Sequence, residues 1–242
     1  MKKKICIVTH VTSGVGQGSA DALAKTGATV VVNDRRFQKA ADHKAYAKKH
    51  PKLHVTKTLD PETLVAEVVK KHGRVDVVVS NALSAHEPAI IEKTKPAALQ
   101  AYLDRLAIEP FRLAKAAVFH MRKRKSGKII FVTSNGPRRG LAKHTAYCAA
   151  QGTANALMIS MAEELADANV QVNAIGLDES IRPTYFPKEM MGETTAETTI
   201  YLKNKPMRKA KPQEAGGLVA FLASEGSDFV TGQVIPFTGG WA

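Results

Sequence analysis

Cysteine is scarce in this chain, and its scarcity excludes two classes of protein. Only Cys6 and Cys148 occur among the 242 residues, so there is no disulfide framework and no run of thiol ligands for a structural metal. Eight histidines are present, but none pairs with cysteines or carboxylates at a metal-ligand spacing. We therefore expect no metal centre, and the cysteine usage is typical of a reducing cytoplasm.

The sequence also lacks a long apolar run. The opening "MKKKICIVTH" has the basic start of a secretory signal, but its apolar stretch stops at Thr9 after four residues, too short for the core of a signal peptide. Nothing elsewhere approaches the length of a membrane-spanning helix. We expect a cytoplasmic protein with no membrane partner.

Acidic residues are outnumbered by basic ones. There are 22 Asp and Glu against 35 Lys and Arg, a formal net charge of +13 at pH 7. The basic residues form short clusters at 2–4, 122–125, 138–139 and 208–211, without interleaved aromatics. They match no nucleic-acid-binding module, so no nucleic-acid partner is expected. A positive field of this kind does favour small anions.

The chain does contain a regular alternation of apolar, β-branched runs and helix-length segments. The predicted strands are "KICIVTH", "ATVVVND", "LHVTKT", "VDVVVSN", "GKIIFVTS", "NVQVNAIG" and "GQVIPFTGG". Between them, apolar spacing predicts helices over about 15–25, 62–72, 96–123 and 145–166, with others ending near 50 and within "PQEAGGLVAFLAS". Strands of continuous apolar character need a sheet covered on both faces. The predicted fold is one α/β domain over 1–242, a doubly wound parallel sheet of the Rossmann type with about seven strands.

Ligands in such sheets bind beyond the carboxyl ends of the strands. In the first such turn, "THVTSGVGQGS", Gly14 and Gly16 allow close approach of an anion to backbone N–H groups. A dinucleotide fingerprint normally has a further glycine, where His10 stands, so a purely turn-forming role is equally consistent. Asp34 could accept from an adenosine ribose and Arg35 could meet a 2′-phosphate, or both could be surface charges.

The stretch "FVTSNGPRRGLAKHTAYCAAQG" carries the candidate catalytic residues. Ser134 ends a predicted strand and Tyr147 opens the next helix, so both can point into one cleft. Gln151 follows Tyr147 by one helical turn and lies on the same face. The serine would hydrogen-bond a substrate oxygen, the tyrosine would act as general acid or base, and the third residue would tune the tyrosine.

Taken together, the chain resembles the short-chain dehydrogenase/reductase superfamily, and within it the halohydrin dehalogenases more closely. The second resemblance is carried by "VDVVVSN", "MRKRKSGKIIFVTS", "PTYFP" and "LVAFLAS…TGQVIPFTGG", with a looser match at "THVTSGVG". It implies conversion of vicinal halohydrins into epoxides and halide without a nicotinamide, and opening of epoxides by small anions such as azide, cyanide or nitrite. Ser134 would hold the substrate oxygen and Tyr147 would remove its proton. A homotetramer is implied as well.

The same resemblance implies a pocket for the halide or incoming nucleophile near the strand ends. Its candidate residues are Thr9, Gly14, Asn81, Gly176, Leu177, Asp178 and Tyr185.

The chain departs from both patterns. Dehydrogenases of the superfamily have lysine at position 151 and usually an asparagine in the long central helix, where Gln151 and Leu106 stand here. Dehalogenases have arginine at 151 and tend to have an aromatic residue in place of Gly14. The loop "LDES" also brings Asp178 and Glu179 close to where an anion should rest, and a carboxylate there is repulsive.

Glutamine at position 151 predicts weak activity. A tyrosine with a pKa of about 10 is phenolate in roughly one molecule in a thousand at pH 7, and a neighbouring cation lowers a pKa by about 1–3 units. Glutamine supplies only a hydrogen bond. Lys143 could substitute if the helix begins early enough for it to share a face with Tyr147, and His144 is a second candidate.

Three functions therefore stay open. The first is a weak halohydrin dehalogenase-like lyase that uses no cofactor. The second is an oxidoreductase that binds NADP through Gly14, Gly16 and Arg35. The third is a catalytically silent binding protein on the same fold.

Overall fold

A computed structural model describes residues 1–82, 88–177 and 210–239. The strands are β1 (Ile5–Val8), β2 (Thr29–Asn33), β3 (Leu53–Thr56), β4 (Val77–Ser80), β5 (Gly127–Ser134), β6 (Val170–Leu177) and β7 (Val234–Phe237). They form one parallel sheet in the order β3-β2-β1-β4-β5-β6-β7. This confirms the predicted doubly wound Rossmann-type sheet.

The helices cover both faces of the sheet. They are α1 (Gly16–Lys25), α2 (Ala40–Lys49), α3 (Pro61–His72), α4 (Pro96–Leu103), α5 (Glu109–Arg124), α6 (Gly136–Arg139), α7 (Thr145–Glu164) and α8 (Pro212–Leu222). A π-helical turn over Asp104–Ile108 joins α4 to α5. The long helix predicted over about 96–123 therefore contains an irregular turn that its sequence does not announce.

Helix α3 shows how local sequence sets an element. Asp60 precedes the helix and accepts a hydrogen bond from Thr63 N at 3.0 Å, while Pro61 occupies the first turn, where its missing N–H is no loss. The helix ends at Gly73, whose φ of 77° is a left-handed conformation that glycine adopts without strain. Its buried face is apolar and packs on the sheet.

The core lies in two layers, because successive strand residues face opposite sides of the sheet. In β4, Val78 belongs to the layer under α3, α5 and α7, while Val77 and Val79 belong to the layer under α1 and α8. Helices α1 and α8 approach very closely, since a Cβ added to Gly216 would lie 2.2 Å from the carbonyl oxygen of Gly18. Within the described ranges, no helix is long and apolar enough to cross a bilayer.

Candidate active site

Ser134 is the last residue of β5 and is only 6% exposed. Its Oγ accepts a hydrogen bond from the backbone N–H of Gly136 at 2.9 Å. A hydroxyl that accepts in this way keeps its own proton for donation to a further oxygen. The residue therefore has the chemistry that was predicted for holding a substrate oxygen.

Tyr147 lies in the first turn of α7 and is half-buried. Gln151 follows one turn later, is 4% exposed, and donates from Nε2 to the Tyr147 hydroxyl oxygen at 3.3 Å. The two side chains share a helix face as the sequence predicts. The bond is long for an N–H···O contact and brings no charge to the phenol.

Ser134 and the first turn of α7 both lie next to Gly136. A Cβ added to Gly136 would lie 3.1 Å from Ser134 Oγ and 3.4 Å from Cys148 Sγ. Since Cys148 directly follows Tyr147, Ser134 and the tyrosine's turn of helix meet around this glycine. Burial raises the pKa of the Cys148 thiol, which makes this neighbour a poor nucleophile.

An apolar wall supports the tyrosine from the side of the π turn. The rings of Tyr102 and Tyr147 pack edge to face, with centroids 6.1 Å apart. Leu106 is 2% exposed and forms a small cluster with Ala82 and Ala150, against which both tyrosines pack. Leu106 thus places an apolar side chain at the position where the dehydrogenase pattern usually has an asparagine. Sequence reasoning missed the π turn, although such turns are frequent at functional sites.

Lys143 is not on the tyrosine's helix face, so this proposed rescue is corrected. Helix α7 begins at Thr145, and Lys143 lies before it, exposed, in a left-handed conformation with φ of 64°. His144 is closer, with its ring centroid 6.5 Å from that of Tyr147. Its Nδ1 lies 2.7 Å from the carbonyl oxygen of Ala142, which requires the proton on Nδ1.

The turn after β1 is held together by its predicted site residues. Asn81 is fully buried; its backbone N–H donates to Thr9 Oγ1 at 3.1 Å, and its Nδ2 donates to the carbonyls of His10 and Ser13 at 3.0 and 2.9 Å. A Cβ added to Gly16 would lie 2.8 Å from Asn81 Nδ2. Thr9, Gly16 and Asn81 therefore have structural contacts within the chain, while Asn81 Oδ1 has no hydrogen-bond partner among the described residues.

His10 keeps the left-handed backbone expected of a turn glycine, with φ of 48°, and Gly14 has φ of 54°. The imidazole of His10 meets Glu109 of α5, Nε2 to Oε1 2.9 Å, and Arg35 reaches the other carboxylate oxygen at 3.1 Å. We call His10, Glu109 and Arg35 the Glu109 bridge. It connects the turns after β1 and β2 to α5, across the edge of the sheet where ligands bind.

Electrostatics favours the ionised form of Glu109. Burial by itself raises the pKa of Glu109, but the hydrogen bond and charge of His10, together with Arg35, outweigh it and hold the pKa below its ordinary value. Glu109 is therefore a carboxylate at neutral pH. Sequence reasoning did not find it, because Glu109 is 99 residues from His10 and belongs to no motif.

Asp34 is 4% exposed, and both of its oxygens are engaged within the chain. Oδ2 accepts from Thr12 N at 2.9 Å and from Thr12 Oγ1 at 2.8 Å, while Oδ1 accepts from Arg36 N at 2.9 Å. With Asp34 tied to its own loop and Arg35 paired to Glu109, the described residues are a poor fit to the ribose and phosphate of a dinucleotide.

The other predicted pocket residues lie at the end of β6. Gly176 and Leu177 are in register with Thr133 and Ser134, and Asn135 N donates to the Leu177 carbonyl at 2.7 Å. They therefore adjoin the serine. The remaining pocket predictions, Asp178 and Tyr185, lie outside the described residues, as does Glu179.

The family model described as "Enoyl-(Acyl carrier protein) reductase" matches residues 11–242. Two curated proteins are similar along almost the whole chain. Dehydrogenase/reductase SDR family member 4 of Bos taurus is 31% identical, over 99% of this chain and 88% of that protein. The 3-oxoacyl-(acyl-carrier-protein) reductase of Thermotoga maritima is 30% identical, over 99% of this chain and 98% of that protein. The chain belongs to the short-chain dehydrogenase/reductase family.

Solved structures add a more particular likeness. A protein described as a dehalogenation enzyme superposes with a TM-score of 0.91 at 32% identity, covering 100% of this chain and 99% of that one. A halohydrin dehalogenase bound to ethyl (2S)-oxiran-2-ylacetate gives 0.89 at 33% identity, covering 98% and 97%. Similar proteins thus include both oxidoreductases and halohydrin dehalogenases.

Proposed function

We propose that this protein is a halohydrin dehalogenase-type lyase. It would convert vicinal halohydrins into epoxides and halide without a nicotinamide, and open epoxides with small anions in the reverse direction. Its turnover is weak because Gln151 stands where such enzymes have arginine.

One observation carries the proposal: the Glu109 bridge joins the turns after β1 and β2 to α5, at the edge of the sheet where a dinucleotide would lie. A reductase of this family needs that space as well as Ser134 and Tyr147. A dehalogenase uses the two residues without a dinucleotide, so the bridge does not oppose its reaction. The likeness to a halohydrin dehalogenase with a bound epoxide supports the same conclusion.

The chemistry follows from the two side chains. Ser134 donates its hydroxyl proton in a hydrogen bond to the substrate oxygen, while Tyr147 in its phenolate form removes the proton from that oxygen. The oxygen attacks the neighbouring carbon; the C–O bond forms as the carbon–halogen bond breaks, and the halide leaves with the electron pair. Tyr147 then releases its proton to solvent. Gln151 contributes a hydrogen bond to the phenolate.

The rival is an NADP-dependent oxidoreductase, which the names of the curated relatives favour. Titration with NADPH, followed by the change in its fluorescence, separates the two. We expect no saturable binding at concentrations up to about 1 mM, the upper end of the range of most enzyme–substrate KM values. Saturable binding would replace the lyase proposal by the reductase.

The direct test is bromide release from a small vicinal bromoalcohol at mildly alkaline pH. Tyr147→Phe removes the base and should abolish release, and Ser134→Ala should lower it by about 10²-fold or more, the loss typical of a hydrogen-bond donor to a reacting oxygen. Each variant is checked for an unchanged melting temperature. Release that survives Tyr147→Phe would rule out the proposed base.

If neither the native chain nor its Gln151→Arg variant releases bromide, and NADPH does not bind, the silent binding protein becomes the better description. That outcome would turn attention to the loop containing Asp178 and Glu179.

A further inference from the structure

The connection between Ser134 and Tyr147 is strongly basic. It contains Arg138 and Arg139 at the end of α6 and Lys143 just before α7, all exposed. No Asp or Glu occurs in the sequence between Glu109 and Glu163. We call Arg138 and Lys143 the basic lip.

The lip has a defined place beside the candidate site. Gly136, which touches both Ser134 Oγ and Cys148, begins the helix that carries the two arginines. Pro137 packs towards α7, since a Cβ added to Gly152 would lie 3.7 Å from Pro137 Cβ. Arg138 therefore follows the serine by four residues, Lys143 lies just before the helix that carries Tyr147, and about two turns of helix, roughly 10 Å, serves as the scale for their field at the site.

The loop that holds these charges is fixed by backbone hydrogen bonds. Gly140 N donates to the Gly136 carbonyl at 2.9 Å, His144 N donates to the Leu141 carbonyl at 3.1 Å, and Ala89 N donates to the carbonyl of Lys143 at 2.9 Å. Lys143 is held in a left-handed conformation that a non-glycine residue rarely adopts. The lip is thus a built feature of the connection.

The lip residues also differ from several other basic residues in that they form no ion pair with a described carboxylate. Five arginines elsewhere form ion pairs with carboxylates: Arg35, Arg74, Arg112, Arg122 and Arg124. Neither Arg138 nor Lys143 takes part in an ion pair with any residue in the described part of the chain. Their field therefore extends into the solvent at the mouth of the site.

We propose that the basic lip attracts the small monovalent anion that the site uses, and so raises the concentration of the anion at the mouth of the site. The proposal rests on the proposed function for the identity of the anion as a nucleophile. Two unit charges about 10 Å away in water correspond to an anion concentration about fourfold higher, falling to less than about twofold at an ionic strength of 0.1 M. The effect should be confined to charged reactants.

The test compares a lip-neutral variant, Arg138→Gln/Lys143→Gln, with a matched variant, Lys44→Gln/Lys48→Gln. The matched residues are exposed on α2, beside the opposite end of the sheet, and give the same charge change. Two quantities are measured: kcat/KM for azide in the opening of a neutral epoxide, and kcat/KM for a neutral bromoalcohol. The ionic strength is varied from about 10 mM to about 0.5 M, a span over which the Debye length falls from about 30 Å to below 8 Å.

We expect the lip-neutral variant to lose about threefold in azide kcat/KM at an ionic strength of about 10 mM, the size that two charges predict at that Debye length. The value for the neutral bromoalcohol should not change, the azide loss should close at high salt, and the α2 variant should match the native protein. Equal losses for both reactants, or a loss that persists at high salt, would overturn the proposal.

A second readout does not depend on turnover. Bromide binding is measured from the excess line width of the ⁸¹Br resonance, with azide as competitor, on the native protein and both double variants. The lip proposal is supported if the native protein shows excess line width that azide removes and the lip-neutral variant does not show it. This holds even if no halohydrin is ever converted; the proposed function alone would then fail. No excess width in the native protein, or equal width in all three proteins, overturns the lip proposal.

Discussion

Replacing Gln151 by arginine should change the pH dependence of turnover, and the size of the change can be worked out. A phenol with a pKa of about 10 is ionised in about one molecule in a thousand at pH 7, and a two-unit drop beside a guanidinium raises this to about one in ten. The lower-pKa base is also weaker, and a Brønsted coefficient of about 0.5 removes about tenfold. The variant should therefore be about tenfold faster at pH 7.

The gain should reverse at high pH. At pH 10 about half of an ordinary tyrosine is already ionised, so the variant gains only about twofold in phenolate while keeping its weaker base. It should then be about fivefold slower than the native protein. The assay is initial-rate bromide release from a vicinal bromoalcohol between pH 6 and pH 10.

Two controls separate charge from other effects of the substitution. Gln151→Leu removes the donor to the Tyr147 hydroxyl without adding charge, and should slow the native rate by about fivefold, the worth of about 1 kcal/mol. Because Gln151 is 4% exposed, the melting temperature of the arginine variant must be followed as well. Parallel pH profiles for the native and arginine proteins would refute the reasoning that Gln151 limits Tyr147.

Two further predictions concern stability. Glu109→Gln should lower the free energy of unfolding by about 0.5–1 kcal/mol at neutral pH. Because the folded-state pKa of Glu109 is depressed, this contribution is present above the unfolded value near 4.3 and is lost as the pH falls through the folded value. Urea melts of the two proteins should therefore converge below about pH 4. Convergence that is absent, or a difference that grows in acid, would contradict the assigned ion pair. Gly216→Ala should destabilise the protein by about 2–4 kcal/mol, because its Cβ would meet the Gly18 backbone at 2.2 Å. Gly217→Ala on the same helix, where a Cβ would have nothing within 4 Å, should be neutral or stabilising by up to about 1 kcal/mol. Similar values for the two variants would show that α1 and α8 do not pack as closely as described.

The sheet could be predicted because its strands carry their own signal. The run "VDVVVSN" contains β4, and "GKIIFVTS" matches β5 residue for residue, since a strand buried on both faces must be apolar throughout. The relation of Tyr147 to Gln151 was equally predictable, because a spacing of four in a helix fixes a shared face.

Other features depend on contacts that no local pattern encodes. The π turn at Asp104–Ile108 changes the helical period over only five residues, too few for apolar spacing to reveal. The Glu109 bridge joins residues far apart in sequence, and α7 begins only at Thr145, after the left-handed Lys143. The π turn changes what surrounds Tyr147, and the Glu109 bridge changes which groups are available at the turn after β1.

The cations of the lip and the missing cation at position 151 have different consequences, because electrostatic effects fall with distance. A charge about 10 Å away in water shifts a pKa by about 0.3 unit, and less in salt, whereas a cation at about 4 Å in a partly buried site shifts it by up to about 3 units. The lip therefore cannot replace arginine beside Tyr147, though it can still draw in an anion. The expected kinetic signature is a low kcat limited by proton transfer together with an unimpaired kcat/KM response of azide to salt. A native protein whose kcat is insensitive to pH between 6 and 9 would show that proton removal by Tyr147 does not limit the reaction.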